Sequence, residues 1–187
     1  MSYAEIVKFG KDGKGVEFAQ IKNAWRGAAA IWDIIGDRYL GEFIPDYVKA
    51  MPHLKKEKHS RMAQEGALKE VWDCYGRSDI SLTDKIVLGT TFDWVTVKRK
   101  DIPDLLKAFR EFDGETSLKE QADAIEQEFN ADPELKAIAW CQTSVCENKW
   151  TSYKHNRLSE ESFPYNIKRH KQHFDLFSDF AEQKEPA

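Results

Sequence analysis

The sequence predicts an α+β fold, a mostly antiparallel sheet of about five strands with five to six helices packed on it. Two observations predict this class. Alternating or β-rich apolar segments occur near the N-terminus, around residue 94 and after residue 136, and helical three- and four-residue spacing fills most of the intervals. These segments also lack the strict β/α alternation of a doubly wound parallel fold. We expect one domain over residues 1–187, with residues 183–187 as a disordered tail.

The first forty residues are predicted to form a β-hairpin and a central packing helix. Residues 3–9 and 14–21 alternate in polarity, and Asp12-Gly13 between them allows the positive φ of a tight turn. The apolar period then becomes three and four, which indicates a helix that starts after a cap at Asn23 and ends at Gly41. Its stripe comprises Ile21, Trp25, Ala28, Trp32, Ile35 and Tyr39.

The middle of the chain is predicted to contain a long connection, two helices and a strand. Residues 41–61 lose periodicity, which is typical of a functional loop or of an ordered surface loop without a special role. A helix is expected over 62–75, ended by Gly76. Ser81 and Asp84 have the spacing of a capping box, which favours a short helix through Leu88. The β-branched and aromatic residues of 90–97 favour a strand.

The last ninety residues are predicted to form two helices, two strands and a final helix. Asp101 is the expected cap of a helix that ends at Gly114, and Ser117 with Glu120 predicts a second capping box for a helix that ends near residue 132. Residues 136–146 are apolar on both faces, as in a central strand, and 148–155 are expected to pair with them. The spacing of the apolar residues predicts an amphipathic helix from about 165 to 182; these residues are Ile167, Phe174, Phe177 and Phe180.

Composition sets several function classes aside. The N-terminus has no apolar signal segment and no apolar run approaches the roughly 18 residues of a membrane span, so we expect no membrane association. Three cysteines (Cys74, Cys141 and Cys146) indicate reduced thiols in a cytoplasmic protein. The mild net charge of −4 makes direct nucleic-acid binding an unfavoured interpretation. The many aromatic residues predict a core of large flat side chains, and a stacking surface would require some of them to be exposed.

The charge is unevenly distributed along the chain. Residues 101–134 contain eleven acidic and three basic residues, whereas 53–61 and 168–173 are basic. The acidic segment coincides with the two predicted helices, so it predicts a negative helical face. Four of its carboxylates are the candidate binding residues: Glu111, Glu120, Asp123 and Glu126. The alternative is that these carboxylates only keep the surface soluble.

Two glycine- and cysteine-containing patterns are assigned structural roles. The glycines at positions 10, 13 and 15 are followed by a strand, so they favour a hairpin turn over a phosphate-binding loop, which requires a following helix. Cys141 and Cys146 have an unusual spacing for a zinc site, because an offset of five places the two sulfurs on opposite faces of a strand. We expect neither a metal nor a cofactor.

A polar cluster follows the predicted central strand and is the first place to expect a small ligand, because strand ends often open onto clefts. It comprises Gln142, Thr143, Ser144 and Asn148, and its alternative is a plain polar hairpin. A cysteine or serine nucleophile with a histidine base is conceivable in this half of the chain. The candidates are Cys141, Ser144 and Cys146 with His155, His170 or His173, but no nucleophile-elbow motif surrounds them.

The sequence therefore favours a non-catalytic interaction or regulatory protein that engages a macromolecular partner, such as a basic protein surface, through the acidic helices. The alternative is a small hydrolase or transferase with a Cys/Ser–His site near 142–155 and 170–173. A module that acts through self-association is the third possibility. A pocket with convergent His, Cys and carboxylate groups would favour the enzyme.

Overall fold

The computed structural model describes residues 3–22, 27–51, 53–54, 58–92, 94–142, 150 and 165–181. The strands are β1 Tyr3–Phe9, β2 Lys14–Lys22, β3 Val95–Lys98, β4 Ala137–Gln142, β5 Tyr165–Asn166 and β6 Phe174–Asp175. The α-helices are α1 Ala28–Leu40, α2 Asp46–Ala50, α3 Ala67–Asp73, α4 Leu82–Gly89, α5 Ile102–Glu111, α6 Leu118–Ala131 and α7 Ser178–Ala181. None of the helices in these ranges combines the length and apolarity that crossing a bilayer requires.

The strands form one six-stranded mixed sheet in the order β5-β2-β1-β4-β3-β6, curled into a half-barrel. Every pair is antiparallel except β3 with β6. The predicted α+β class with a mostly antiparallel sheet is confirmed. The single domain stays a prediction, and the predicted tail 183–187 lies outside the described residues.

The N-terminal hairpin is confirmed, with its turn at the predicted glycines. The N–H of Gly10 donates to the carbonyl of Lys14 at 3.0 Å, and Gly13 has a φ of +78°, the left-handed region that favours glycine. The side chain of Asp12 accepts from the N–H of Lys14 at 2.9 Å and fixes the turn. A strand follows these glycines, as the hairpin interpretation requires.

The two faces of the sheet belong to different hydrophobic clusters. Ile6 and Trp140 face the helices and join the main core, whereas Val7 and Cys141 join a smaller cluster around Trp150 on the other face. Ile6 and Val7 are neighbours on β1, and Trp140 and Cys141 are neighbours on β4. Successive side chains of each strand therefore point to opposite faces, as the two-residue side-chain period dictates. β4 lies between β1 and β3, so the predicted central strand is confirmed. The partner predicted for it at 148–155 lies outside the described residues apart from Trp150.

The predicted C-terminal helix over 165–182 is wrong. β5 pairs with β2 at one edge of the sheet, β6 pairs with β3 at the opposite edge, and the chain between them crosses the face that carries Trp150. His170 is buried in this crossing segment, against the ring of Trp150. Strand pairing and burial outweigh the helical spacing of the phenylalanines. Only a 3₁₀ turn over Ile167–Arg169 and the four-residue α7 are helical in the described part of this segment.

Other boundaries also differ from the predictions. α1 starts at Ala28 because Ile21 still belongs to β2, where it pairs with Ala4; Asn23 and Trp25 lie outside the described residues. The connection over 41–61 contains the short helix α2 after Pro45. The strand predicted at 90–97 starts at Val95.

The predicted capping box at Ser117 is wrong, although α6 forms over the expected residues. Ser117 is buried, and its hydroxyl accepts a hydrogen bond from the side-chain amide of Gln121 at 3.0 Å. The oxygen of the same amide accepts from the indole of Trp140 at 3.1 Å. Ser117 therefore positions the Gln121 amide, which joins α6 to Trp140 of the sheet, and its side chain does not cap the helix.

Candidate functional site

A surface groove of about 260 Å³ lies between α4, α5 and α7. Its floor is made of four buried apolar side chains, Ile86, Ala108, Phe177 and Phe180. Its remaining lining residues are Leu82, Thr83, Asp104, Lys107 and Glu111. The groove thus combines an apolar floor with a charged rim.

The spacing of residues on α5 explains its contribution to the rim. Asp104, Lys107, Ala108 and Glu111 stand at i, i+3, i+4 and i+7, so they form one stripe along the helix. Leu105 and Phe109 occupy other positions and are fully buried in the main core. The core-facing side of α5 thus packs into the main core, and the stripe beside it lines the groove.

The opposite wall begins with Leu82, the first residue of α4. Ser81 caps this helix, because its hydroxyl accepts the N–H of Asp84 at 3.0 Å, so the predicted short helix is confirmed. The Leu82 side chain is 49% exposed. It supplies apolar surface beside the floor.

The floor phenylalanines are held in place by close packing. Phe177 and Phe180 meet edge to face with ring centroids 5.7 Å apart. Leu176, just before them, lies directly over Gly89 at the end of α4, where a Cβ atom would collide with it. This contact fixes α7 against α4 and so sets the shape of the groove.

Charged side chains of both signs lie near the N-terminal end of α5. Burial raises the pKa of Asp101; Asp175 and Asp104 raise it further, while Lys100 and Lys98 oppose the rise. Lys98 is itself paired with Asp175 at 2.8 Å. The raised pKa of Asp101 therefore reflects mainly its burial, with smaller contributions of opposite sign from the neighbouring carboxylates and lysines.

The four carboxylates predicted as a binding face lie in two settings. Glu111 lines the groove, 3.9 Å from Lys107 in an exposed pair that contributes little. Asp123 and Glu126 share Arg110, at 3.4 and 2.6 Å. This hydrogen bond from Arg110 lowers the pKa of Glu126. Glu120 is exposed in the first turn of α6.

Basic residues from the hairpin compensate another part of the acidic segment. Lys8 contacts Glu128 and also Asp132, the latter at 2.9 Å, and Lys11 contacts Glu134. The acidic helices are therefore less negative in three dimensions than in sequence. The sequence could not show this, because both lysines are more than a hundred positions away.

The polar cluster predicted after β4 is mostly outside the described part of the chain. Gln142 is the last residue of β4, and its side chain is not described; Thr143, Ser144 and Asn148 lie outside the described residues. The same holds for Cys146 and His155, two of the candidates for a nucleophile and a base.

The described catalytic candidates lie around one aromatic ring, and two of them, Cys141 and His170, are buried. Cys141 and His170 are each 3% exposed, and both belong to the surroundings of Trp150. The ring of His170 is 4.7 Å from that of Trp150, and the ring of His173 is 5.7 Å from it. A nucleophile or base must reach its substrate, so this burial favours a core role for Cys141 and His170. Within the described ranges, no group of three or more His, Cys, Asp or Glu side chains is placed to hold a metal ion.

Sequence reasoning found one rim residue, Glu111, and missed the groove itself. The floor joins Ile86 and Ala108 to phenylalanines some seventy to ninety positions later in the chain, which only the fold brings together. One signal was present: the Asp104-Lys107-Glu111 stripe borders the apolar stripe of α5 on one side.

Comparison of the chain with protein-family models, with curated proteins and with solved structures finds no match.

Proposed function

We propose that the protein is a non-catalytic binding or regulatory protein that takes a basic segment of a partner protein into the groove between α4 and α5. One observation carries this proposal: an apolar floor lies directly beside the carboxylates of Asp104 and Glu111. An apolar side chain of the partner would rest on the floor, and neighbouring lysine or arginine side chains would meet these carboxylates.

The dimensions of the groove favour a peptide over a small metabolite. Pockets for small molecules usually enclose about 300–1,000 Å³ and cover most of the ligand. This groove has about 260 Å³ and lies open at the surface. It is large enough for one or two apolar side chains, which is the usual anchor of a short segment in a helix-lined groove.

The wider charge distribution supports a basic partner. Beyond the groove, Asp113, Glu115 and Glu120 are exposed on the α5–α6 connection and the start of α6. Such a field attracts a cationic segment from a distance and weakens as salt increases. The alternative, a hydrolase or transferase, has weaker support among the described residues because Cys141 and His170 are buried.

The proposal includes a cytoplasmic location. Three cysteines in a chain of this size favour a reducing compartment. Cys74 is buried and unbridged, and its Sγ donates to the carbonyl of Glu70 at 3.4 Å.

Three fluorescein-labelled peptides test the binding proposal: Lys-Lys-Phe-Lys-Lys, Lys-Lys-Gly-Lys-Lys and Glu-Glu-Phe-Glu-Glu. We expect the first to bind most tightly by fluorescence anisotropy, because only this peptide has both the apolar anchor and the positive charge. Its binding should shift the backbone amide NMR signals of α4 and α5. Equal affinity for all three peptides, or shifts confined to other elements, would contradict the proposal.

A matched pair of variants locates the site. Leu82→Ser removes exposed apolar surface from the groove, and Met62→Ser removes it from a residue that is 57% exposed and lies outside the groove lining. We expect Leu82→Ser to weaken the binding of Lys-Lys-Phe-Lys-Lys about tenfold, since loss of a large buried contact costs about 1–2 kcal/mol. Met62→Ser should leave it unchanged. Equal losses in both variants would indicate nonspecific adhesion.

A further inference from the structure

A second surface, separate from the groove, carries exposed aromatic rings. It is built from α1, from the end of α3 and the turn after it, and from the connection between α4 and β3. We call it the aromatic surface, and its members are Trp32, Trp72, Tyr75, Phe92 and Trp94.

The rings of this surface form two packed groups, Trp32 with Trp72 and Tyr75 with Phe92 and Trp94, and both groups are held in place. Trp72 meets Trp32 edge to face at 5.8 Å, and the indole N–H of Trp32 donates to the hydroxyl of Thr91 at 3.0 Å. The next residue, Phe92, stacks on Trp94 with centroids 5.6 Å apart and planes only 16° from parallel. Tyr75 packs edge-on against Phe92 at 5.4 Å. The rings are thus preorganised, which lowers the entropic cost of binding a flat ligand.

Two of the five rings face solvent to an unusual degree. The Trp72 side chain is 40% exposed and that of Trp94 is 42% exposed, whereas tryptophan is highly buried on average. Neither indole N–H donates a hydrogen bond to a described residue. Each exposed tryptophan therefore offers a flat apolar ring together with an available donor.

Two ion pairs flank these rings, and one further cation, Lys85, lies over the ring of Tyr75 at 5.9 Å. Lys69 contacts Asp73 at 2.6 Å, on the same helix as Trp72, and Arg77 contacts Asp79 at 2.6 Å just after Tyr75. Binding of single-stranded nucleic acid by stacking also requires a positive groove that follows the phosphates. Two compensated pairs and a single lysine do not provide one. They do provide carboxylate acceptors and ammonium donors for hydroxyl groups.

We infer that the aromatic surface is a carbohydrate-binding site that takes a neutral oligosaccharide. The apolar C–H face of a pyranose ring would stack on Trp94 or Trp72, and ring hydroxyls would bond to the indole N–H groups and to the Lys69–Asp73 pair. None of its five residues lines the peptide groove, and the two sites meet where Tyr75 packs against Phe180 of the groove floor, with ring centroids 6.4 Å apart.

The test uses chitohexaose, cellohexaose and maltohexaose as probes, with the single-stranded oligonucleotide dT12 as the nucleic-acid arm. Binding is measured by isothermal titration calorimetry and tryptophan fluorescence on the full chain. We expect at least one oligosaccharide to bind and dT12 not to bind. Trp94→Ala and Trp72→Ala should each weaken this binding about tenfold or more, since aromatic stacking with its area burial exceeds 1.4 kcal/mol, the free energy that corresponds to a tenfold change in affinity.

Tyr47→Ala is the matched control, because Tyr47 is 44% exposed on α2 and lies outside the aromatic surface. It should bind the oligosaccharide with unchanged affinity, and circular dichroism with urea denaturation should show that all three variants fold. The inference is overturned if no oligosaccharide binds at millimolar concentration, or if Tyr47→Ala loses as much affinity as Trp94→Ala. Binding of dT12 that depends on Trp94, or self-association in the ultracentrifuge that depends on Trp94, would also overturn it.

Discussion

The hydroxyl group of Tyr39 joins α1 to the start of α4 by a hydrogen bond to Asp84. It donates to Oδ2 of Asp84 at 2.7 Å and accepts from the backbone N–H of Ser81 at 2.9 Å. In a complete capping box, the third helical residue itself would bond to the N–H of the cap residue. Here the hydroxyl of Tyr39 accepts the N–H of Ser81 in place of Asp84. The Asp84 carboxylate also accepts a hydrogen bond from Arg38 at 2.5 Å.

Tyr39→Phe should therefore destabilise the protein by about 1–3 kcal/mol, because it leaves the N–H of Ser81 and a carboxylate oxygen of Asp84 without their partner. The measurement is the midpoint of urea denaturation. Tyr47→Phe is the control, since the Tyr47 side chain is exposed, and its midpoint should not change. An unchanged midpoint for Tyr39→Phe would show that water replaces the hydroxyl without loss.

Gly36 on α1 is in direct contact with the guanidinium of Arg61. A Cβ at position 36 would lie 2.5 Å from Cζ and 2.7 Å from Cδ of Arg61, which is 3% exposed and also pairs with Asp37 at 2.6 Å. Gly36→Ala should destabilise the protein by about 1–3 kcal/mol through overpacking, although alanine is the better helix former. Gly76→Ala, at a position with open space and no positive φ, should be neutral or slightly stabilising by the same urea assay.

The pH dependence of stability should reveal the buried carboxyl of Asp101. Its pKa is raised from 3.8, mainly by burial, and its Oδ2 is buried without a hydrogen-bond partner. The folded state therefore holds the proton more tightly than the unfolded state, so stability is lost as pH rises from about 3.8 through the raised pKa.

Asp101→Asn should consequently be more stable than the wild type at pH 7, and the difference should vanish as pH falls below about 3.8. Urea midpoints measured from pH 3 to pH 7 provide the check. Asp113→Asn, at an exposed position, should follow the wild type throughout. A constant difference between Asp101→Asn and the wild type at every pH would mean that ionisation of Asp101 does not contribute.

The fold was predictable from sequence where local rules agree with tertiary contacts. The hairpin at Asp12-Gly13 and the Ser81 cap are local, and both form as predicted. The helix over 165–182 failed because its alternative partners are remote. The N–H of Phe174 donates to the carbonyl of Trp94 at 3.0 Å, and that of Leu176 donates to the carbonyl of Thr96 at 2.8 Å. Hydrogen bonds between residues about eighty positions apart cannot be predicted from a local sequence pattern.

The candidate site was predictable only in its charge. The acidic run pointed to Glu111, which lines the groove, but the sequence could not show that Arg110 compensates Asp123 and Glu126 or that Phe177 belongs to the floor. Side-chain pairing across two helices depends on their packing angle and register, which periodicity leaves undetermined.

Acidic residues in the groove lining should contribute more to the association rate of Lys-Lys-Phe-Lys-Lys than acidic residues outside it. At about 0.01 M salt the screening length is about 30 Å, so Glu111→Gln and the double variant Asp123→Asn/Glu126→Gln should both slow association. At about 0.15 M salt the length falls to about 8 Å, and we expect only Glu111→Gln to retain its effect, because Asp123 and Glu126 lie beside Arg110 and outside the groove lining.

Stopped-flow anisotropy measures the association and dissociation rates of the peptide. Dissociation should change less than association in each variant, since charges at the rim of an interface act mainly on encounter. The urea midpoints should move little, because exposed ion pairs such as Arg110–Glu126 contribute about 0–1 kcal/mol. If association ignores both salt and these substitutions, the acidic helices serve solubility alone, and the groove binds by its apolar floor without electrostatic attraction.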